Sequence, residues 1–380
     1  MKLTIEQAAL QKALSRATGV AARRTTIPIL TNLLIDAQTD AADEQLWLIA
    51  TDLDMEVRVR VEARIETPGQ ITVPADLLDK IARAAPAGAD VQMQYDRAAD
   101  ARVQVRFGRN RYNLPALPAG DFPVFPEGRW AAPATVGAAD LALILDRTAF
   151  AISRDQTRTY LLGAFLHPCT GDAGRVLRSS ATDGHRMACA DCRATMPDDM
   201  RGAIVPAKTV AEFRRAIEGR VGPVQLHLSA TGARLEMEDL ILTSKVIEGE
   251  FVDYTRVIPR DWRYEIRVDR DLFHGAVRRT AFMATDRAPS LKLALNDGAI
   301  RLTVRNSEAG QAEEEVEAEH DADGIEVSVN ARYFQDALAQ TSADRIVLRF
   351  EDPGSPLRLE PEPEDAEAGL ALSVVMPMRF

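Results

Sequence analysis

The sequence predicts an α+β fold made of one unit repeated three times, each unit carrying two helices packed on a curved antiparallel sheet. Three observations lead there. The first is recurrence. "ATDLDME" at 50–56 returns as "ATDGHRM" at 181–187, "TVPADLLDKIARA" at 72–84 as "IVPAKTVAEFRRA" at 204–216, and "AGDFPVF" at 119–125 as "EGEFVDY" at 248–254. From Thr51 to Thr182 the shift is 131, from Pro74 to Pro206 it is 132, and from Phe122 to Phe251 it is 129. A constant period marks a repeat, and a period of this size is that of a whole domain. The second observation is a pair of helical patterns in each copy. The third is period-2 alternation in the stretches between them, which reads as antiparallel strands joined by tight turns. The copies divide the 380 residues into domains at 1–131, 132–259 and 260–380.

The elements follow in order. A short strand leads into the first helix, with Thr4 as its expected N-cap, Gln7 three residues on, and Ile5, Ala9, Ala13, Leu14 and Ala17 at helical spacing. "LWLIATDLDMEVRVRVEARI" (46–65) alternates as strands. The second helix starts at "VPADLL", where Pro74 precedes the first turn and its missing N–H costs little. "RVQVRFGRNRYNL" (102–114) is a hairpin. The middle copy repeats this plan, with "VPAKTV" opening its second helix and "VQLHLSATGARLEMEDLILTSKV" (224–246) as its meander. In the third copy "YEIRVDRDLFHGAVRRTA" (264–281) stands for the first strand and helix. "LKLALNDGAIRLTVRN" (291–306) is a hairpin on an NDG turn, and Asn330 in "VNARYF" takes the place of Pro74. A chain of equal units that turns at each joint traces an arc, and an arc that meets itself closes into a ring.

Composition narrows the function classes. Hydrophobic residues make up 46% and charged residues 27%, the balance of a soluble globular protein. No apolar run reaches the ~18 residues of a membrane helix, and "MKLTIEQAALQKAL" lacks the unbroken apolar stretch of a signal peptide. Three cysteines argue against a disulfide framework and for a reducing cytosol. The net charge of −11 is uneven: −1 over 1–131, −1 over 132–259 and −9 over 260–380. That total opposes a protein that simply adheres to nucleic acid, but it is compatible with a basic inner face and an acidic outer one.

"ATDGHRMAC" (181–189) holds the residues closest to chemistry. Asp183 and His185 suggest a catalytic dyad, while His167, Cys169, His185, Cys189 and Cys192 suggest a metal site. The repeat weakens the first reading. Leu53 and Asp54 stand at the places of Gly184 and His185, so "ATD" belongs to the scaffold and Asp183, like Asp52, is a turn former. Cys189 and Cys192 lie three apart on a strand and point to opposite faces, and no second CxxC exists, which disfavours metal and favours buried free thiols. The third reading is a turn presented to other proteins.

The words "IPILTNLLI" (27–35), "ATDLDMEV", "RTYLLGAF" (158–165), "ATDGHR", "TSKVIEGEFVDYTRVIP" (243–259) and "SVVMPMRF" (373–380), in this order on a threefold repeat, resemble the β sliding clamp family, the processivity subunits of bacterial DNA polymerase III. The resemblance spans essentially the whole chain. It implies the DNA-clamp fold, a head-to-tail homodimer closed into a six-domain ring, with helices toward duplex DNA and sheets outside. It implies no catalysis, metal or cofactor, and a cytoplasmic, nucleoid-associated protein. The implied partners are encircled double-stranded DNA, the DNA polymerase III catalytic subunit, the clamp loader, repair and translesion polymerases, and initiation regulators.

Site residues follow position by position. A tether that slides needs diffuse phosphate contact without base readout. Cations on the helix faces suit that: Arg16, Arg23, Arg24, Arg83, Arg147, Lys208, Arg214, Arg215, Arg278 and Arg279, with Arg154 beside them. Asp76 stands where the family carries a basic residue, which points to a weaker or shifted footprint in the first domain. The resemblance places a peptide-docking pocket between domains 2 and 3 at Arg158, Tyr160, Leu161, Thr182, Gly184, His185, Arg186, Met187, Val252, Arg256, Val257, Val374, Val375, Met376, Pro377, Met378 and Arg379. There an apolar floor and an arginine rim suit a short peptide. Val252 replaces a proline and Phe380 a terminal leucine of the family. A dimer contact is expected between Phe282 and Met283 of one subunit and Tyr112 and Leu114 of the other, with Arg109 and Arg111 facing Glu313, Glu314 and Glu315.

Overall fold

The computed structural model describes residues 1–380 apart from 23, 41–42, 97–101, 126–127, 129, 172–173, 286–288, 309, 342, 363–369 and 379–380, and apart from the side chains of 39–40 and 43–44. Arg23, Arg379 and Phe380 therefore lie outside the described residues. Six α-helices stand among those described: α1 (Gln7–Ala17), α2 (Ala75–Ala84), α3 (Ala138–Ala149), α4 (Ala207–Ala216), α5 (Arg270–Thr280) and α6 (Ala331–Leu338). They come in pairs at the positions that the repeat assigns.

The chain forms two compact units, Met1–Thr135 with Ala211–Val246, and Val136–Val210 with Ile247–Phe380. In the first, a five-stranded antiparallel sheet runs in the order Arg64–Thr67, Lys2–Glu6, Asp90–Tyr95, Arg102–Phe107, Asn110–Pro115. A second sheet carries Met55–Val61 directly against Leu240–Lys245, with Val59 opposite Leu240. Leu3, Ile5, Leu10 and Leu14 are fully buried, as the alternation and the helical spacing require, and α1 packs on α2 and on Met55–Val61.

The second unit has an eight-stranded sheet in which Arg186–Cys192 pairs with Ala371–Val375, Met187 opposite Val374. A four-stranded sheet follows the order Gly310–Glu317, Ala299–Asn306, Ser290–Asn296, Ile325–Asn330. Phe273 of α5 meets Phe334 of α6 edge to face at 5.8 Å inside this unit's main core. The compact units cut through the middle repeat because strands of successive repeats pair edge to edge, so contacts do not thin out where the sequence words change.

One local expectation is corrected. Thr4 does not cap α1: it lies within the strand Lys2–Glu6, and the cap position is Glu6, which makes no side-chain cap bond. Burial of Leu3 and Ile5 holds this segment extended one residue pair further than the capping pattern suggests. Gln7 turns inward instead, its Nε2 donating to Ala82 O at 3.0 Å and so tying α1 to the end of α2. In the third repeat the caps are side-chain caps. Asp269 accepts from Leu272 N, and Asn330, at the place of Pro74, accepts from Arg332 N and Tyr333 N.

Candidate peptide-docking site

The 182–186 turn is built by two side chains. Thr182 Oγ1 donates to Arg186 O at 2.7 Å and accepts from Gly184 N at 3.1 Å. Asp183 Oδ1 accepts from His185 N and Arg186 N at 2.9 and 3.0 Å, and its Oδ2 accepts from Arg186 Nε. The first repeat makes the same turn. Thr51 Oγ1 donates to Met55 O, and Asp52 Oδ1 accepts from Asp54 N and Met55 N. Gly184 has φ +90° and Leu53 φ +78°, so the left-handed position is shared and only the second copy fills it with the residue that adopts it without strain. Asp183 is thus engaged in shaping a turn, as the repeat suggested.

Arg186 departs from the rim role expected of it. Its guanidinium, with 11% of the side chain exposed, bonds Asp183 and, at 2.6 Å, Asp336 of α6. It lies 4.5 Å from the Tyr333 ring centre and 5.2 Å from that of Phe150. It fastens the turn to α6 and to the end of α3. Arg158 and Arg256 are the exposed arginines, and Arg256 bonds Asp253 at 2.8 Å.

Beside the turn lies a groove of about 210 Å³ lined by Arg158, Tyr160, Leu161, Thr182, Gly184, Arg186, Met187, Val252, Tyr254, Val257, Val374 and Met376. Leu161, Met187 and Val374 are buried and form its floor, while Tyr160, Val252, Val257 and Met376 are exposed at its edge. The chain end is tied down here: Met376 N donates to His185 O, Met378 N donates to Ser328 O, and Pro377 bridges Val329. Among the described residues, five that were expected fall outside the lining. His185 stacks on Tyr333 in a neighbouring cleft, Val375 is buried in the core, Pro377 and Met378 hold the tail, and Arg256 stands off.

Tyr254 is the lining residue that sequence reasoning missed, although it sits inside a quoted word. A polar buried network explains its place. Its hydroxyl meets His167 Nε2 at 2.9 Å, and Arg178 and Ser180 lie near enough to act on it electrostatically. Arg178 makes a fork with Asp191 at 2.5 and 2.7 Å, which raises its pKa above the ordinary value. Burial lowers the pKa of His167 and raises that of Tyr254. Burial also pushes the Cys189 and Cys192 thiols up to about 12. Cys189 bonds Ser180 and packs with Met187, Tyr254 and Val374 under the groove, whereas Cys192 feels Asp140 of α3. Among the described residues no group of three His, Cys, Asp or Glu has metal-holding geometry.

The helix-face cations are largely engaged. Arg16 bonds Asp239 at 2.8 Å, Arg83 bonds Asp79 at 2.9 Å, Arg215 bonds Glu212, and Arg279 forks onto Glu314 at 2.6 and 2.9 Å. Arg147 is half-buried, and desolvation lowers its pKa. Lys208 and Arg214 have interactions of their own, while Arg24, Arg154 and Arg278 are exposed. At the expected dimer contact Phe282 is 73% exposed and Tyr112 37%, Met283 packs partly on the core, and Leu114 is buried in its own domain. Arg109 and Arg111 are exposed, but Glu314 pairs with Arg279 and Glu313 and Glu315 with Arg301 of the same chain.

Comparison with known proteins agrees with this architecture. Models of the DNA polymerase III beta subunit match the N-terminal domain over 1–126, the central domain over 135–253 and the C-terminal domain over 255–379. The beta sliding clamp of Caulobacter vibrioides is 45% identical over 382 residues, with 100% of both chains covered, and that of Escherichia coli K12 is 32% identical over 381, again with 100% of both. A solved Caulobacter crescentus clamp, with PEG bound to a putative beta-motif tethering region, superposes with a TM-score of 0.93 at 45% identity, covering 100% of this chain and 99% of that one. A Bartonella birtlesii clamp bound to griselimycin gives 0.92 at 36%, with 100% of both chains covered. Three repeated α+β domains in this order, and identity of this extent along the whole length, make the chain a member of the DNA polymerase III beta subunit family, with the three-domain DNA-clamp fold.

Proposed function

We propose that this chain is a DNA sliding clamp of bacterial replication. Two copies close head to tail into a six-domain ring around duplex DNA, without reading its sequence and without catalysing a reaction. The ring tethers the DNA polymerase III catalytic subunit, the clamp loader and other replication and repair proteins. The observation that carries the reading is the apolar groove at the 182–186 turn, completed by Val374 and Met376 and anchored by the tail. Its mixture of a rigid floor, adaptable methionines and exposed arginine suits short peptides from many partners.

Domain limits at 131/132 and 259/260 belong to the same proposal; the matched segments break between 126 and 135 and between 253 and 255. Docking falls to the groove residues, with Val375, Pro377 and Met378 shaping it from behind. Phosphate contact falls first to Arg24 and then to Lys208 and Arg214; Arg215 and Arg279 contribute after exchanging their carboxylates for phosphates. Phe282 and Met283 meet the Tyr112 strand of the partner subunit, near Arg109 and Arg111. The protein works in the cytoplasm, at the nucleoid. Among the described residues no helix is long and apolar enough to cross a membrane. Loading onto nicked circular DNA by a clamp loader tests the ring: the protein stays on the circle through a salt wash and leaves when the circle is cut. Loss from intact circles as fast as from linear DNA overturns it.

A further inference from the structure

A second cleft, of about 550 Å³, adjoins the docking groove and shares Arg158 and Arg186 with it. Its charges are four arginines against three aspartates: Arg154, Arg158, Arg186 and Arg332, with Asp155, Asp183 and Asp336. The aspartates are engaged internally. Asp183 and Asp336 hold Arg186, whose charge is neutralised between them. Asp155 Oδ1 accepts from both the backbone N and the hydroxyl of Thr157, which keeps it within its own loop. Arg154, Arg158 and Arg332 are exposed, and among the described residues only Arg158 of the three acts on a cleft carboxylate, joining Thr157 in drawing Asp155 below its ordinary value. A Cβ on Gly184, which lines the groove, would come to 3.0 Å from Nη1 of Arg158, a side chain that borders both spaces.

We propose that this cleft receives acidic residues flanking the docked motif, so that the protein selects partner peptides by charge as well as by their apolar anchors. The inference rests on the docking reading above and extends it. Continuity with the groove favours a peptide chain that runs from one space into the other. Arg154 and Arg332, exposed beside a wall formed by Tyr333 and His185 and without an ion pair among the described residues, favour carboxylates on that chain, with Arg158 shared between those carboxylates and Asp155. Duplex phosphates are the competing source of negative charge, through Arg154.

The test uses the full-length protein and a fluorescent Gln-Leu-Ser-Leu-Phe peptide, extended at either end by three glutamates or by three glutamines. Anisotropy at about 50 mM salt is expected to show one glutamate extension binding about 5-fold tighter than its glutamine counterpart, with the advantage shrinking at 0.5 M salt. Arg332→Gln is expected to remove most of that advantage while leaving the glutamine peptides at their original affinity, and Arg154→Gln to remove part of it. Equal binding of acidic and neutral extensions, with the core motif still bound, overturns this proposal alone. An acidic advantage that survives Arg332→Gln combined with Arg154→Gln overturns it as well, and faster loss of that variant from circular DNA would assign the arginines to phosphates. Failure of every peptide to bind overturns the docking reading on which it stands.

Discussion

Gly184 sets the shape of the 182–186 turn. Its φ of +90° lies where a side chain costs roughly 1–2 kcal/mol, and a Cβ there would press on Arg158. Gly184→Ala is therefore expected to weaken docking-peptide affinity about tenfold, read by anisotropy; unchanged affinity would mean that the turn geometry does not govern the groove. Asp183 was legible as a turn former because Asp52 occupies the same place one repeat earlier, a comparison within the chain that needs no structure. Arg186 was not. Its burial depends on Phe150 and Tyr333, which arrive from two other segments, and nothing in the spacing of "ATDGHR" announces them.

The strands beneath the groove carry a buried ion pair, Arg178 with Asp191, whose polar reach ends at Tyr254. Removing one partner leaves the other buried and uncompensated. Asp191→Ala should cost about 3–5 kcal/mol, seen as a lowered melting temperature, whereas Arg178→Met with Asp191→Leu should cost much less. Equal losses in the two variants would contradict the pairing. The same strands set a pH window. Burial holds His167 below its ordinary 6.5, so the unfolded chain takes up that proton first and stability falls as pH drops below about 6.5. Cys189 and Cys192 are pushed up to about 12 from 9.0, so the unfolded chain loses those protons first and stability falls as pH rises above about 9. Melting temperature against pH should be flat between these limits, and His167→Gln should reduce the acid-side decline, the remainder falling to His274, which burial also holds below its ordinary value. A decline that persists unchanged in that variant would exclude His167 as its source. Periodicity made the paired helices and the meanders readable. It misplaced the start of α1, because strand burial at Leu3 and Ile5 outweighs a local capping pattern, and it missed Tyr254, whose inward turn is decided by a network of residues distant in sequence.

At the scale of the whole molecule, several cations first read as facing DNA already hold carboxylates of their own chain, and a loose, exchangeable hold on phosphates is what sliding requires. Phe282 is an aromatic side chain left 73% exposed in a single chain. Phe282→Ala with Met283→Ala should yield monomers by sedimentation, and a dimer persisting at low micromolar concentration would place the subunit contact elsewhere. The threefold repeat made the architecture readable from words and shifts alone, while the edge-to-edge pairing of successive repeats stayed hidden because strand partners leave no mark in the spacing.

Fluorescence anisotropy of a labelled Gln-Leu-Ser-Leu-Phe peptide tests the central claim most directly. It compares the intact chain with one ending at Val375, which lacks Met376 from the groove wall and the tail bonds to His185 and Ser328. Micromolar binding by the intact chain and none by the shortened one is expected. Equal binding by both, or by neither, would contradict the assignment of the groove as the place where partners dock.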